Sequence, residues 1–395
     1  MELALVDGQM MTDRGLETGL AVVLAGDRIV SVVAEAELPS DLPRLGLDGG
    51  LLLPGFIDVQ VNGGGGVLFN DSPTPEAIAA IGAAHRRFGT TGFLPTLISD
   101  ELAIVRAALE AARGAIAAAT PGVLGVHIEG PFLNTAQKGI HDATKFRSMD
   151  DDSLALLTSL ANGRTLVTLA PEVAGAAMIR RLTTAGVVVS AGHTNATYAQ
   201  ALAGLDAGMT GFTHLFNAMS PLASREPGVV GAALFDPRSW CGIIVDGRHV
   251  DPVVLKLALR CRPLERFMLV TDAMPCVGSN QKTFRLQDKT ITVRDGACFD
   301  NRGRLAGSDL NMAAAVRNAV SLLGLSLADA SRMASRNPAE FLGLGAEVGR
   351  IAAGYRADLV LLDERLNVQR VWIGGASKAD GAAGESSAGR ATAIG

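Results

Sequence analysis

Eight short apolar segments recur along the middle of the chain, and amphipathic or alanine-rich stretches separate most of them. In order they are "GFIDVQ", "TGFLPTLIS", "GVLGVHIEG", "TLVTLAPE", "GVVVSAGH", "MTGFTHLFN", "WCGIIVDG" and "FMLVTDA". The intervening stretches predict helices, for example over residues 75–88 and 101–118. Eight strands alternating with helices are what a (β/α)₈ barrel of the TIM type requires. The pattern therefore predicts an α/β barrel, with a doubly wound open sheet as the alternative.

The two ends of the chain have a different sequence pattern, which is typical of short strands and turns. Apolar runs punctuated by Gly and Asp, such as "LAVVLAGDRIVSVVAEA", fill the first fifty residues and predict hairpins. A similar pattern returns in "GRIAAGYRADLVLLDERLNVQRVWIGG". Neither piece has enough strands to bury a face alone, so we expect both to join in one small sheet domain. The predicted organisation is residues 1–54 and 346–375 for this domain, 55–345 for the barrel and 376–395 for a disordered Gly/Ala/Ser-rich tail.

Charge and composition exclude some classes of partner. The net charge is −5 and charged residues make up 19% of the chain, so no bulk attraction to nucleic acid or anionic membrane is expected. No basic, apolar signal sequence is visible at the start, and no apolar run approaches the roughly 18 residues that span a bilayer. The cysteines show no metal-like or paired spacing, and we expect reduced packing residues in a cytoplasmic protein: Cys241, Cys261, Cys276 and Cys298.

Potential metal ligands stand at the ends of three predicted strands. Glu129 ends "GVHIE", two residues beyond His127, so both side chains point to the same side of that strand. His193 ends "VVVSAGH", and His214 lies in "GFTHLFN". A carboxylate and two imidazoles can hold a catalytic metal and leave one position open for water. The alternative is three unrelated polar residues at one end of the barrel. His85, in "AAHRRFG", lies on a helix beside two arginines and is predicted to be solvated surface.

Other polar residues suggest a proton acceptor and an anion pocket. Asp272 stands at the tip of the eighth strand, where a carboxylate can take a proton from water and return it to a leaving amine. The alternative role is a cap of the following loop. Arg225 in "SPLASREPG", and Arg248 with His249 in "VDGRHVD", could bind phosphate oxygens. Either stretch alone is a weak signal, since loop arginines are usually solvated.

Taken together, these stretches resemble the N-acetylglucosamine-6-phosphate deacetylase family of the amidohydrolase superfamily. The resemblance extends to about Gly375 and rests on a combination of motifs: "PGFIDVQVNG", "GVHIEGPFLN", "KGIH", "SAGHTNA", "THLFNAMSPL", "REPG", "VDGRHV", "VTDAM", "LAGS", "NPAEFLGL" and "GRIAAGYRADLVLLD". "PGFID" alone would indicate only the superfamily. The resemblance implies a deformed (β/α)₈ barrel and a β-sandwich made from both chain ends.

The resemblance also assigns roles to residues. It implies that Glu129, His193 and His214 bind the metal and that Asp272 is the acid/base. The substrate contacts that it implies are His141 with its neighbour Ile140, Asn217, Ala218, Arg225, Arg248, His249, Leu305, Ala306 and Gly307. Of these, His141 would hydrogen-bond the acetamide carbonyl, and Arg225 with His249 would hold the phosphate. In the family one or both phosphate-binding residues come from a neighbouring subunit, so a homodimer is expected.

The strand that opens the barrel departs from the superfamily. Many members carry His-x-His there, and this chain has Gln60 and Asn62 instead. The change removes two ligands of a second, more buried metal and resembles the one-metal branch of the deacetylase family. We therefore expect one divalent metal per chain, most simply Zn²⁺, with Fe²⁺, Co²⁺ or Mn²⁺ compatible with the same ligands.

The expected reaction is hydrolysis of the acetamide of N-acetyl-D-glucosamine 6-phosphate to D-glucosamine 6-phosphate and acetate. Asp272 would accept the proton of the attacking water, and the metal with His141 would stabilise the oxyanion. Two alternatives remain. One is another amidohydrolase, acting on a related N-acyl amino sugar or a cyclic amide. The other is a non-catalytic sugar-phosphate-binding protein on the same fold.

Overall fold

The computed structural model describes residues 2–378. The part before Gly55 consists mainly of short strands joined by turns. These strands are β1 (Glu2–Val6), β2 (Gln9–Thr12), β3 (Gly15–Glu17), β4 (Leu20–Ala25), β5 (Arg28–Ala34), β6 (Arg44–Gly46) and β7 (Leu51–Pro54).

Eight parallel strands follow and lie side by side in chain order. A parallel bridge between Val61 and Ala273 joins the first strand to the segment after the last, which closes the barrel. The carboxylate of Asp58 adds to this closure by accepting hydrogen bonds from the backbone and hydroxyl of Thr271. The barrel prediction is confirmed. Its strands are β8 (Phe56–Val61), β11 (Thr90–Ile98), β12 (Gly125–Glu129), β13 (Arg164–Leu169), β14 (Val188–Ala191), β15 (Gly211–Phe212), β16 (Trp240–Ile243) and β17 (Phe267–Leu269), and a small hairpin, β9 (Gly63–Gly64) with β10 (Val67–Leu68), follows β8.

Helices cover the outside of the barrel. The first begins where predicted, because the Thr74 side chain accepts a hydrogen bond from the backbone of Ala77 and Pro75 stands in the first turn. The helices are α1 (Pro75–Arg86), α2 (Leu102–Ala117), α3 (Asp151–Leu157), α4 (Pro171–Ala174), α5 (Ala176–Thr184), α6 (Tyr198–Asp206), α7 (Gly228–Phe235), α8 (Pro252–Cys261), α9 (Met312–Ser321), α10 (Leu327–Ala334) and α11 (Arg336–Phe341). Within residues 2–378, none of them combines the length and apolar character that crossing a membrane would require.

The prediction that His85 is solvated surface is wrong. His85 is fully buried, and its Nε2 lies 2.9 Å from the carbonyl oxygen of Gly63. The β9–β10 hairpin folds back over this face of α1 and covers the ring. Burial lowers the pKa of His85 to about 4, so the ring is neutral and donates Nε2–H to the carbonyl. The flanking arginines in the sequence suggested a solvated turn, but they lie on other faces of the helix.

A small antiparallel sheet that the sequence analysis missed follows the eighth barrel strand. It consists of β18 (Thr283–Leu286), β19 (Lys289–Arg294), β20 (Ala297–Asp300) and β21 (Leu305–Ser308). A parallel bridge from Ala273 to Ser308 joins it to the loop that carries Asp272. Its apolar side packs on the loops at the barrel mouth, in a cluster that includes Leu286, Ile291, Ile140 and Met274. This sheet therefore forms one wall beside the mouth.

The cysteines are unpaired, as predicted, and three of them are buried. Cys276 and Cys298 lie with their sulfur atoms 3.6 Å apart beneath the additional sheet. Cys261 is the exception to the packing prediction. It is exposed because it is the last residue of α8, where the helix leaves the barrel surface.

The two chain ends meet in a sandwich. The C-terminal strands β22 (Leu359–Leu362), β23 (Val368–Ile373) and β24 (Ala376–Lys378) share a six-stranded sheet with β7, β2 and β3. The remaining N-terminal strands form a four-stranded sheet in the order β5-β4-β1-β6. Leu5, Val22, Leu52 and Trp372 are among the residues that fill the core between the sheets. The predicted fold class, a barrel with a sandwich from both ends, is confirmed.

The predicted disordered tail begins too early. Residues 376–378, its first three, form β24, which pairs antiparallel with β23. Backbone hydrogen bonds to an edge strand order a segment whose composition gives no strand signal. The rest of the predicted tail, residues 379–395, lies outside the described residues.

Candidate active site

Three ligand atoms converge at the carboxyl ends of β12, β14 and β15. Oε1 of Glu129 lies 3.1 Å from Nε2 of His193 and 3.0 Å from Nε2 of His214, and the two nitrogens are 3.1 Å apart. All three side chains are buried. The structure thus brings together the three residues that the sequence analysis selected as ligands.

The backbone at this end of the barrel is unusual. His193, His214 and Asp272 all adopt positive φ angles, of 48°, 36° and 52°. Each follows the end of its strand by two or three residues, where the left-handed conformation turns the side chain back over the barrel mouth. Such conformations cost free energy for non-glycine residues and are found at functional sites. Phe216 and Ala218, in the loop after β15, share the feature, with φ of 79° and 49°.

The three ligand atoms fit a divalent metal. Tetrahedral ligands at roughly 2.0–2.2 Å from a metal are about 3.3–3.6 Å apart, so the observed spacing needs an expansion of roughly half an ångström at most. Nδ1 of His193 lies 2.9 Å from the carbonyl oxygen of Gln137, to which it donates. That hydrogen bond places the proton on Nδ1 and leaves Nε2 with a free lone pair.

The charge on Glu129 also suits a metal ligand. Burial raises the pKa of Glu129, but its close contacts with His193 and His214 outweigh this effect and hold this pKa well below its ordinary value. Glu129 is therefore an ionised, buried carboxylate. Such a group requires a cation or several donors nearby.

Asp272 lies beside this cluster and shares a hydrogen-bond donor, the side-chain amide of Gln60, with Glu129. The side-chain amide of Asn62 donates to Oδ1 of Asp272 at 2.6 Å, and the amide of Gln60 donates to the same oxygen at 3.1 Å. Gln60 also donates to both oxygens of Glu129, at 3.3 and 3.2 Å. The two amides therefore lie where the superfamily's His-x-His pair would stand, and they contact both carboxylates.

The surroundings of Asp272 place its titration near neutrality. Burial raises the pKa of Asp272 to about 6, and the negative charge of Glu129 adds to this shift. The charges of His214 and His249 and the hydrogen bond from Asn62 act in the opposite direction. A carboxylate with a pKa close to the working pH is well suited to both take up and release a proton.

His141 is set up as a hydrogen-bond donor. Its Nδ1 accepts the backbone N–H of Ser99 at 3.3 Å and lies 2.8 Å from the Ser99 hydroxyl. Burial, followed by the nearby charge of His193, keeps the pKa of His141 well below its usual range. The ring is therefore neutral, with its proton on Nε2. The ring centres of His141 and His193 are 4.3 Å apart, so this N–H lies close to the three ligands.

A cavity of about 430 Å³ opens over these groups. This volume is ample for a phosphorylated monosaccharide. Most of the predicted substrate contacts line it: Ile140, His141, Asn217, Ala218, His249, Leu305, Ala306 and Gly307. Gly307 has a φ of 71°, and a Cβ there would lie 2.8 Å from the carbonyl oxygen of Asp272. Only glycine lets this strand approach the loop that carries Asp272 so closely.

Two predicted anion contacts do not line the cavity. Arg225 is exposed, on the loop before α7. Arg248 is also exposed, and its nearest carboxylate is Asp295, at 3.6 Å. His249, next to Arg248, points the other way. Its side chain is only 5% exposed, and its Nδ1 lies 2.6 Å from Oδ2 of Asp246.

The cavity also contains residues that sequence reasoning missed. They are Ile98, Ala136, Gln137, Lys138, Gly139, Ile244, Met274, Leu286 and Arg304. Lys138 and Arg304 add positive charge near the mouth, and Arg304 is paired with Asp300 at 2.8 Å. Leu286 lies in the additional sheet and Arg304 in the turn between its strands β20 and β21, and no sequence pattern had indicated this sheet. Lys138 precedes "GIH" directly and could have been found from its place in that motif.

Comparisons with known proteins give matches over most of the chain. The model of the amidohydrolase family matches residues 51–378. An N-acetylgalactosamine-6-phosphate deacetylase of Shewanella sp. (strain ANA-3) is 43% identical over 94% of this chain and 95% of its own. An N-acetylglucosamine-6-phosphate deacetylase of Haemophilus influenzae is 33% identical over 93% of this chain and 97% of its own.

Solved structures agree as well. The crystal structure of N-acetylglucosamine-6-phosphate deacetylase from Pasteurella multocida superposes with a TM-score of 0.93 at 34% identity. The match covers 96% of this chain and 100% of the other.

Proposed function

The chain belongs to the amidohydrolase family, and from this premise we propose that it hydrolyses the acetamide of N-acetyl-D-glucosamine 6-phosphate. The products are D-glucosamine 6-phosphate and acetate. One observation carries the proposal: Glu129, His193 and His214 converge on one point, and Asp272 lies beside them in the same cavity. That arrangement combines a metal site with a proton acceptor.

A divalent metal held by Glu129, His193 and His214 supplies Lewis acidity, which acidifies water and polarises a carbonyl group. Asp272 takes the proton from the attacking water through Oδ2, because the amides of Gln60 and Asn62 already occupy Oδ1. Among residues 2–378, no hydrogen-bond donor reaches Oδ2. Asp272 then delivers the proton to the departing amine, which makes the amine a competent leaving group.

His141 acts on the other side of the reacting carbonyl. Its Nε2–H is directed into the cavity because Ser99 occupies Nδ1. It donates to the acetamide oxygen as negative charge develops there. A fixed donor at such an oxygen contributes about 2.7–4 kcal/mol to transition-state stabilisation.

The 6-phosphate is proposed from the names of the relatives and from the polar wall of the cavity. Both the Shewanella and the Haemophilus proteins are named as deacetylases of an N-acetylhexosamine 6-phosphate. On this chain, His249 and the loop at Asn217 and Ala218 line the cavity and are available to the phosphate. Their contacts anchor the sugar at C6 while the reaction takes place at C2.

A second candidate substrate is the 4-epimer, N-acetyl-D-galactosamine 6-phosphate. It is favoured by the 43% identity to the Shewanella protein, against 33% for the Haemophilus one. The acetamide and the phosphate are common to both sugars, so the groups assigned above serve either. Discrimination depends on what surrounds the hydroxyl at C4.

We propose one metal ion per chain, most simply Zn²⁺. A Glu/His/His set with an open position is a common catalytic zinc site, and Fe²⁺, Co²⁺ and Mn²⁺ are compatible with the same donors. Gln60 and Asn62 support a single metal, because their amide groups donate to the carboxylates that a second metal would need.

We also propose a homodimer in which Arg225 completes the site of the partner subunit. Arg225 is exposed and does not line the cavity of its own chain. Its loop is nevertheless well held, since the carboxylate of the neighbouring Glu226 accepts the backbone N–H groups of Tyr198 at 2.7 Å and Gly228 at 2.9 Å. An arginine held in a fixed outward position suits a contact with another chain.

The surface beside Arg225 supports the same arrangement. Leu222, Phe235, Val253 and Leu257 are 59%, 79%, 64% and 55% exposed. They form a contiguous apolar face across α7, α8 and the loop before α7. Apolar patches of this kind usually mark interfaces, and a second copy of the chain would cover this one.

Acetate release from a panel of sugars tests the function. The metal-loaded protein is assayed with both N-acetylhexosamine 6-phosphates, the two unphosphorylated sugars and a cyclic amide. We expect rapid turnover of at least one phosphorylated sugar and much slower turnover of its unphosphorylated form. Preferred hydrolysis of the cyclic amide would favour the alternative hypothesis, that the protein is an amidohydrolase with a different substrate. Tight sugar-phosphate binding without acetate release would identify a non-catalytic binding protein.

A further inference from the structure

A buried carboxylate–imidazole pair lies at the edge of the cavity, outside the groups that perform the hydrolysis. Asp246 and His249 belong to the loop after β16, and their side chains are 4% and 5% exposed. Oδ2 of Asp246 lies 2.6 Å from Nδ1 of His249. Only His249 of the two lines the cavity.

The carboxylate of Asp246 is fixed from both sides. Its Oδ1 accepts the backbone N–H of Arg248 at 2.8 Å and that of His249 at 2.9 Å. Its Oδ2 accepts the Nδ1–H of the His249 ring. Burial raises the pKa of Asp246. The hydrogen bond from His249, the charge of that ring and the two backbone N–H donors act in the opposite direction, and together they lower this pKa overall. Asp246 is therefore an ionised group with a defined orientation.

This orientation determines which nitrogen of His249 faces the ligand. Because Nδ1–H donates to Asp246, Nε2 is the ring nitrogen left for the cavity. In a neutral ring, Nε2 would carry only a lone pair and would repel an anion. To donate to a phosphate oxygen, Nε2 must carry a proton as well, and the carboxylate of Asp246 at Nδ1 places a negative charge directly behind the ring.

We propose that Asp246 is a positioning residue that turns Nε2 of His249 toward the 6-phosphate of the substrate and holds a negative charge behind the ring. Asp246 does not touch the sugar itself, and it acts through the ring, as carboxylates do on metal-bound or catalytic histidines. The inference rests on the proposed function, since it requires a phosphorylated substrate. It explains why a buried carboxylate stands one layer behind a pocket for an anion, where a direct contact would be repulsive.

The alternative is that Asp246 serves only to hold the loop. A double-mutant cycle of Asp246→Asn, His249→Asn and the double variant separates a role through His249 from a role in holding the loop. For each, kcat/KM is measured on the preferred N-acetylhexosamine 6-phosphate and on the same sugar without phosphate. The ratio of the two values cancels the fraction of active protein in each preparation.

Asp246→Asn is expected to lower this ratio by about 10- to 100-fold, the effect of losing a charged hydrogen bond to the phosphate. The value for the unphosphorylated sugar should remain nearly unchanged. In the His249→Asn background, Asp246→Asn should change the ratio no further, because the residue through which it acts is absent. Asp246→Ser, which keeps a cap for the two backbone N–H groups but carries no charge, should behave like Asp246→Asn.

Three results would overturn the inference alone: equal losses on both sugars, an unchanged ratio in Asp246→Asn, or a full additional loss in the double variant. A wild-type protein that shows no turnover, or no preference for the phosphorylated sugar, would refute the proposed function together with the inference.

Discussion

The side-chain amide of Asn62 donates a 2.6 Å hydrogen bond to Oδ1 of Asp272. Gln60 donates to the same oxygen and to both oxygens of Glu129. Two amides thus lie between two carboxylates, where the imidazoles of a second metal site stand in many amidohydrolases. Their N–H groups offset part of the repulsion between Glu129 and Asp272 and leave Oδ2 of Asp272 for the attacking water.

Asn62→Leu is predicted to shift the acid limb of the pH–activity profile upward. Deacetylation requires ionised Asp272, so kcat/KM falls as the pH drops through the pKa of this group, about 6 before the charge of the metal is added. A hydrogen bond to a charged group is worth ~1.5–3 kcal/mol, and ~1.4 kcal/mol corresponds to one pKa unit. Removing the donor raises the pKa of Asp272, so the acid limb of the profile should move up by about one to two pH units.

The measurement is kcat/KM between about pH 5 and 8 for wild type and variant, with metal content determined for both. The metal lowers the acid limb in both proteins, so the difference between them remains. An unchanged or downward-shifted limb at equal metal content would show that Asn62 does not act on the ionisation of Asp272.

The double substitution Gln60→His and Asn62→His should create a second metal site. It supplies two imidazoles beside Glu129 and Asp272, which then serve as ligands instead of hydrogen-bond acceptors. Elemental analysis after mild chelation of loose ions should give about one tightly bound divalent metal in wild type and about two in the variant. A wild-type value near two would contradict the role given to the amides, and a variant that stays near one would mean that the site lacks a required ligand.

Arg225→Met should weaken only the reaction of the phosphorylated substrate, by about 10- to 150-fold in kcat/KM. The unphosphorylated sugar lacks the group that Arg225 is proposed to bind and should be hardly affected. An equal loss on both sugars would mean that Arg225 supports the structure of its loop.

Mixing subunits tests where Arg225 acts. Chains carrying Arg225→Met and chains carrying Asp272→Asn are exchanged, and subunit exchange is confirmed independently. In each mixed dimer, one site should combine an intact Asp272 with an intact Arg225 of the partner, so activity should reappear. A selective loss without such recovery would place Arg225 in the site of its own chain.

His85 predicts a specific dependence of stability on pH. Its pKa is lowered by burial to about 4, against about 6.5 in an unfolded chain. As the pH falls from 6.5 to 5, the unfolded chain binds a proton that the folded chain excludes, so the folded state loses about 2 kcal/mol. His85→Gln can still donate to Gly63 and does not titrate. Its melting temperature should therefore fall less between pH 7 and pH 5 than that of wild type; equal falls would show that His85 does not contribute.

The fold was predictable because its signals are local and repeated. Most barrel strands are short and largely apolar, as in fully buried β17, and chain order gives the neighbours in a parallel barrel. The convergence of the three proposed ligands was predictable for a related reason. Strand ends in such a barrel share one face, so Glu129, His193 and His214 had to lie near one another once the strands were assigned.

The parts that could not be predicted depend on contacts between distant segments. The additional sheet contains short polar strands, such as "TFRL" at Thr283–Leu286, whose ordering depends on packing against Ile140 and Met274. His85 is buried by the short β9–β10 hairpin, and the strand of that hairpin that contacts the ring is Gly63–Gly64, which carries no hydrophobic signal. The pairing of Asp246 with His249 is a matter of side-chain direction within a turn, and the sequence showed only that both residues belong to one loop.

The most direct test of the account is Asp272→Asn, measured for metal content and for acetate release in the same preparation. The substitution preserves the shape of the side chain and removes its ability to accept the proton of water. We predict wild-type metal occupancy, because Glu129, His193 and His214 are untouched, with a loss of kcat of at least about 100-fold, the lower end of what a general acid–base contributes. Near-normal acetate release at full metal occupancy would contradict the role of Asp272, and with it the proposed mechanism.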